Sequence, residues 1–420
     1  PLFIEKNISD NSNIDKESYK LFKDAKQLIY HSQTEENLNK VRNLLNKAIM
    51  ISPKFSEAHS QYAITSNKLG YVDDAEKSIY KSLTICDEEN DDLGRATALN
   101  HLGILQKNWG KYDKAKINFE KSLKIQIQYD DRLTESKILN NMSTCYSSLG
   151  DYDKAINFIK RSIFIKEDLE KYSLLHTSYG QLGNIYFYDS DYMNAKVSYK
   201  KGLGYAVNSQ DLVTQSLFLC KLLEIDLDLG YVGDYDNYMS RLDQLESNYK
   251  NNISVKISVL ISKGTKEYLN GNYNQAIKCY FLAYEESDFS DNFNLKINIL
   301  EKILLFFIFL NKKKDFEKYF KKYSRLILKY KKRKALIYDV FLFFFNKING
   351  DVSDSFKLSE IKNTDITIVD LHVAAISLKI QKRKNNLDYI NMVNAFMEHS
   401  NLSEKYITSF KSMPFIKNFF

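Results

Sequence analysis

The chain has 420 residues, 44% of them hydrophobic, with 60 basic against 53 acidic side chains and a net charge of +7. That apolar content excludes a globally disordered chain. With only 3 Pro and 14 Gly, the turns of an all-β fold cannot be supplied, so long helices are expected.

Residues 1–16 are polar, with Asn, Asp and Ser gathered at Ser9–Asn13, and read as a linker or frayed entry. From Glu17, apolar residues at Tyr19, Phe22, Ala25, Leu28 and Ile29 have helical spacing. A second helix carries Leu38, Val41, Leu44, Leu45, Ala48 and Ile49 and stops before Pro53, which cannot continue the hydrogen-bond ladder. Phe55–Leu69 and Val72–Ile85 form the next predicted pair, joined at Gly70. The most regular stretch is Leu99–Leu123, two amphipathic helices joined at Trp109-Gly110-Lys111, and its pattern returns at Leu139–Ile163 and again around Gln181–Ala195.

Turn glycines fall at Gly70, Gly110, Gly150, Gly230 and Gly271, with Ser190 in the place between the third and fourth. A second register agrees: Ala75 with Ile79, Ala115 with Phe119, Ala155 with Ile159, Ala195 with Tyr199, and Ala276 with Tyr280. The small residue lets the second helix approach the first, and the large one fills the gap a turn later. Glycine at the turn supplies the left-handed conformation that ends the first helix. A helix pair cannot bury its apolar face alone, so a fixed period predicts stacked neighbours.

This pattern resembles the tetratricopeptide repeat family, whose signature contains Leu-Gly-two-Tyr, Ala-three-Phe and a late Pro. Leu182-Gly183 with Tyr186, Ala115 with Phe119, and Pro53 carry the likeness. The family period is about 34 residues, whereas most steps here are 40, so both helices are expected to be lengthened. That resembles a variant found in bacterial signalling and transcription-regulator proteins. The resemblance implies an all-α, right-handed superhelical solenoid, with an array over residues 17–287 in about seven helix pairs. Residues 288–420 keep a helical texture without the signature and are expected to be divergent repeats closed by a capping helix. Helices are predicted there at Leu295–Leu310, Phe316–Tyr330, Ala335–Ile348, Ile366–Ile380, Leu387–His399 and Leu402–Phe410.

Glu17–Tyr62 is similar to the first repeat after the effector domains of bacterial cyclases, kinases and transcription activators. Pro1-Leu2-Phe3-Ile4-Glu5 resembles a short motif at the end of their signal-transduction ATPase domains. Together these imply a covalently linked effector domain before residue 1 and a regulatory role. Cys86, Cys145, Cys220 and Cys279 form no C-x-x-C pair, which speaks against a disulfide framework or zinc site. With no signal peptide evident, a cytoplasmic location is expected. The longest apolar runs, Ile303–Leu310 and Val340–Phe345, are too short to cross a membrane.

No catalytic residue, metal ligand or cofactor site is expected. The histidines form no H-E-x-x-H, no G-x-G-x-x-G follows a strand, and Gly110-Lys111 lacks the rest of a phosphate loop. Asp87, Glu88, Glu89, Asp91 and Asp92 lack calcium-loop spacing, and the last two suit a helix start. The expected partner is a protein or peptide. In the family the first helix of each unit lines the inner groove, which marks Asn100, Asn140 and Asn184, flanked by Lys107 and Tyr188, as candidate peptide contacts. Asn offers a donor and an acceptor to a peptide backbone, but the same residues could simply bridge adjacent helices. The alternative is a nucleic-acid or anionic-membrane surface on the segment 312–334. It contains Lys312, Lys313, Lys314, Lys321, Lys322, Lys331, Lys332, Arg333 and Lys334 and sums to net +10, leaving −3 for the rest. The plain reading of that run is a solvated face over buried Phe316, Tyr319, Phe320, Tyr323, Leu326 and Ile327.

Overall fold

A computed structural model describes residues 14–31, 35–249, 252–289, 293–329, 336–348, 387–400 and 402–413. Among them lie nineteen α-helices and no strand. The predicted helix Ile366–Ile380 and residues 1–13 of the expected entry segment 1–16 fall outside the described residues. The chain divides into two compact units, Pro1–Lys171 and Tyr172–Phe420.

The first unit holds α1 (Lys16–His31), α2 (Glu35–Ile51), α3 (Ser56–Lys68), α4 (Val72–Glu89), α5 (Asp92–Asn108), α6 (Tyr112–Gln128), α7 (Arg132–Ser148) and α8 (Tyr152–Asp168). Consecutive helices pack as pairs, and the first helices α3, α5 and α7 also touch in sequence. The second unit continues with α9 (Leu175–Tyr188), α10 (Tyr192–Asn208), α11 (Leu212–Asp228), α12 (Tyr235–Tyr249), α13 (Ile253–Leu269), α14 (Tyr273–Glu286), α15 (Phe293–Phe309), α16 (Lys313–Lys329), α17 (Leu336–Ile348), α18 (Leu387–His399) and α19 (Glu404–Ser412). The all-α repeat architecture expected from the sequence is what the structure contains. Lengthening from α3 onward is confined to the first helices, 13 residues in α3 against 17 in α5 and α7; the second helices α4, α6 and α8 have 18, 17 and 17.

The turns explain the regularity. Gly70, Gly110, Gly150, Gly230 and Gly271 all have φ between 71° and 84°, and Ser190 takes φ 61°. Midway between them stand Asn90, Asp130, Glu170 and Gln210, with φ from 52° to 56°. A left-handed residue thus stops the chain every twenty positions from 70 to 230. After the stops at 70, 90, 110, 130, 150, 190 and 210 the next residue but one starts another α-helix, whereas α9 and α12 begin five residues after Glu170 and Gly230. Asp91, Asp131, Asp151, Asp191 and Asp211 each accept the backbone N–H three residues on, as N-caps do. Asp91, in the acidic cluster, is therefore a helix cap.

Packing inside each pair follows residue size. Ala75, Ile79, Ala115, Phe119, Ala155 and Ile159 are fully buried. Opposite the large residue the first helix thins to match: a Cβ added at Gly103 would lie 2.6 Å from Phe119, and one at Gly183 2.5 Å from Tyr199. Where the large residue is Ile79, Ala63 shares its core cluster. A polar staple repeats alongside. The hydroxyls of Ser82, Ser122 and Ser162 donate to the carbonyls of Ser56, Ala96 and Ser136 at 2.8, 2.6 and 2.7 Å. Each joins the second helix to the start of its partner.

Candidate binding faces on the first helices

In the first unit the side chains of α3, α5 and α7 bring neutral polar groups together. Asn141 Nδ2 donates to Asn100 Oδ1 at 3.0 Å, so Asn100 bridges two successive first helices. The neighbouring Asn140 occupies the place forty residues after Asn100, yet its Oδ1 is buried with no hydrogen-bond partner among the described residues. Its backbone carbonyl is engaged by the hydroxyls of Ser143 and Thr144 at 2.7 and 3.1 Å. His101 Nδ1 lies 2.5 Å from Ser60 Oγ. Burial, with Lys26 nearby, pushes the imidazole down to about 4, so the ring is neutral at pH 7.

Lys107 is half-buried on α5 and makes no ion pair or hydrogen bond among the described residues. Burial pulls its ammonium below the ordinary lysine range, offset in part by the Cys145 thiol. An uncompensated cation and an uncompensated carbonyl oxygen therefore lie on adjacent first helices.

Asn184 and Tyr188 belong to the second unit. Asn184 Oδ1 accepts the Tyr199 hydroxyl at 2.7 Å, so its oxygen is committed to its own helix pair. Tyr188 is 61% exposed and stands edge-on to Phe187. In the same unit sequence reasoning missed a charged quartet. Lys221 pairs with Glu224 at 2.7 Å on α11, and Lys302 on α15 reaches Asp228 at 3.4 Å. Desolvation raises Asp228 and opposes the charges on Glu224, Lys221 and Lys302, although each side chain stays 22–41% accessible. For Glu224, Lys221 and Lys302 the opposite charges outweigh it, holding the carboxyl below and both amines above their ordinary values. Spacing within α11 exposes the first pair, but no sequence pattern links residues 74 positions apart.

In the basic segment, Lys312, Lys313, Lys314, Lys318, Lys321, Lys322 and Arg325 are exposed. Lys321 pairs with Glu317 at 2.8 Å, and Lys322 lies 4.9 Å over the Tyr319 ring. Phe316, Phe320, Tyr323 and Ile327, on the opposite face of α16, are buried. Lys331, Lys332, Arg333 and Lys334 lie outside the described residues. Among the described residues no group of His, Cys, Asp and Glu could hold a metal ion. No described helix is long and apolar enough to cross a membrane.

Residues 55–128 and 110–168 match the tetratricopeptide repeat family. No curated protein matches the chain. Among solved structures, the chain is similar to a Signal Transduction ATPase with Numerous Domains (STAND) protein with a tetratricopeptide repeat sensor from Pyrococcus horikoshii. The two share 16% identity and a TM-score of 0.54, over 93% of this chain and 56% of that one. It is also similar to the apo form of RapI, at 17% identity and TM-score 0.48 over 65% of this chain and 98% of that one. BtubC from P. vanneervenii matches at 19% identity and TM-score 0.41, over 56% of this chain and 91% of that one.

Proposed function

Since the chain is a tetratricopeptide repeat protein, with the family's pattern on residues 55–168, we propose that it is a non-catalytic module that binds an extended peptide on the first-helix face of its first unit. Tetratricopeptide repeats generally mediate protein–protein interaction. The observation that carries this reading is the Asn140 Oδ1 on α7 and the Lys107 ammonium on the adjacent first helix α5, both without a partner among the described residues. A buried acceptor without a donor costs about 1–3 kcal/mol, and a turn of the Asn140 side chain toward a peptide N–H would remove that cost. Lys107 would select an acidic group next to it, because a carboxylate restores the solvation that burial takes from the ammonium. Asn100 and Asn141, already joined, would hold the reading surface rigid.

The finer reading is a sensor or scaffold within a larger bacterial signalling protein, its effector domain preceding residue 1, in the cytoplasm. The similarity of Glu17–Tyr62 to repeats that follow effector domains supports it, as does a shared fold with a protein described as carrying such repeats as a sensor.

The test is a peptide library panned against the full chain, with affinities of selected peptides read by fluorescence anisotropy. Asn100→Ala with Asn140→Ala should weaken them at least about tenfold, about 1.4 kcal/mol, with an unchanged far-UV spectrum. Lys107→Met should weaken acidic peptides selectively. Unchanged affinity in the double variant removes this reading.

A second reading places a polyanion on the exposed cations of α16. Its apolar face is buried in the core, which excludes insertion of that helix into a bilayer and leaves only surface electrostatics. A labelled single-stranded oligonucleotide should then bind at low salt and dissociate steeply as salt rises. No binding at low salt disposes of it.

A further inference from the structure

The described C-terminal helices α18 and α19 pack far back along the sequence. They join the core built by α10, α11 and α12. The Phe396 ring lies 5.8 Å from Tyr192 and 5.3 Å from Phe410. Leu402, Tyr406, Phe410 and Met413 recur at helical spacing and are all buried. They form one stripe facing α10–α12. Gly230 admits them, because a Cβ there would meet Met413 Cγ at 2.6 Å and the Ser409 carbonyl at 2.9 Å.

At the centre of this contact is a polar clasp. The Tyr406 hydroxyl donates to Asp226 Oδ1 at 2.6 Å, and Lys196 Nζ donates to both. Asp226 is 2% exposed, and its Oδ2 has no partner among the described residues. At the rim, Lys405 Nζ sits 4.5 Å over the Tyr231 ring, which is 4.9 Å from that of Tyr406. Burial raises the Asp226 carboxyl and lowers the Lys196 amine, so both charges are held against their hydration. A buried pair of this kind adds little net stability compared with an apolar contact, whereas removing one partner leaves the other buried and uncompensated. The surface on α10–α12 therefore has the two parts of a specific docking site: an apolar floor, and a polar reader that accepts one hydroxyl at one position.

We propose that this face of α10–α12 is a helix-binding site, separate from the first-helix face, whose resident occupant is the chain's own segment 387–413 and which releases that segment without unfolding the repeats. It takes an amphipathic helix with a Tyr and a Phe four residues apart, the Tyr hydroxyl seated between Lys196 and Asp226.

Hydrogen exchange on the full chain tests it, together with a fluorescein-labelled synthetic peptide of residues 387–413 added to the intact protein. Amides of 404–412 should exchange through an opening that leaves α10 and α11 protected. Tyr406→Phe keeps the ring and removes the reader. It should speed exchange in 404–412 at least about tenfold, leave the thermal midpoint unchanged, and increase binding of the labelled peptide. Lys196→Met, which leaves α19 intact, should do the same to exchange. Equal exchange in wild type and both variants, loss of protection throughout the second unit, or no peptide binding to any of the three would each overturn the proposal.

Discussion

Replacing Gly103 by Ala should destabilise the first unit, although Ala is the better helix former. The ideal Cβ would lie 2.6, 2.8 and 3.0 Å from three atoms of the Phe119 ring, which is fully buried and cannot swing into solvent. Overpacking of this kind costs about 1–3 kcal/mol. The helix-propensity gain from Gly to Ala returns about 1 kcal/mol, so the net loss is roughly 0–2 kcal/mol. The sharper quantity is the coupling. With Phe119→Ile the pair becomes Ala opposite Ile, the combination already present as Ala63 and Ile79. In that background Gly103→Ala should stabilise by about 1 kcal/mol. The double-mutant cycle should therefore show a coupling of about 1–3 kcal/mol, the whole of the relieved overlap. Urea unfolding followed through Trp109, the single tryptophan of the chain, reports on this unit. Its indole N–H is bonded to Asn67 Oδ1 at 2.8 Å and senses the α3–α5 packing directly. Because repeat arrays depart from two-state behaviour, exchange of the α5 and α6 amides should show the same coupling. A coupling below about 0.5 kcal/mol, the range of independent sites, would refute the size-matching argument.

Two further outcomes follow from local geometry. His101 is held at about 4 against an ordinary 6.5, so the unfolded chain binds a proton there that the folded one refuses. Its contribution to stability is complete above pH 6.5 and is lost as pH falls toward 4, by at most about 3 kcal/mol at about 1.4 per pH unit. His101→Gln should flatten the pH dependence of the unfolding midpoint over that window; an unchanged slope would exclude His101 as its source. Glu170 sits at φ 52° without the freedom of glycine. Glu170→Gly should stabilise the first unit by about 0.5–1 kcal/mol, since the left-handed conformation costs an ordinary residue about 1–2 kcal/mol. A lower thermal midpoint would show that the side chain contributes more than the backbone strain removes.

The repeat was legible because its signals are local and periodic. Glycine at 70, 110 and 150 betrays a left-handed turn by its identity alone, and Ala75 with Ile79 shows the packing face within one helix. The second set of left-handed residues was hidden, because Asn90, Asp130, Glu170 and Gln210 have no common chemistry. The serine staples were equally quiet: Ser82, Ser122 and Ser162 are small polar residues in otherwise mixed helices. At the candidate site, periodicity paired Asn100 with Asn140, but the side-chain bond runs from Asn141. Helical phase decides which of two adjacent asparagines points across, and one residue is a rotation of about 100°. The contacts Lys302–Asp228 and Lys196–Tyr406 join residues 74 and 210 positions apart and leave no trace in any window of sequence.

The spacing of left-handed stops also constrains how such a chain can change length. One residue inserted within a helix turns everything beyond it by about 100°, taking alanines and their large partners off the buried seam together. Gains and losses are then tolerated in whole helices of twenty positions, in pairs of forty, or in a connection that absorbs the slip. The step from Gly230 to Gly271 is 41, and the connection between α11 and α12, from 229 to 234, is longer than its counterparts. Lineages of this protein should accordingly differ by modules rather than by scattered single insertions.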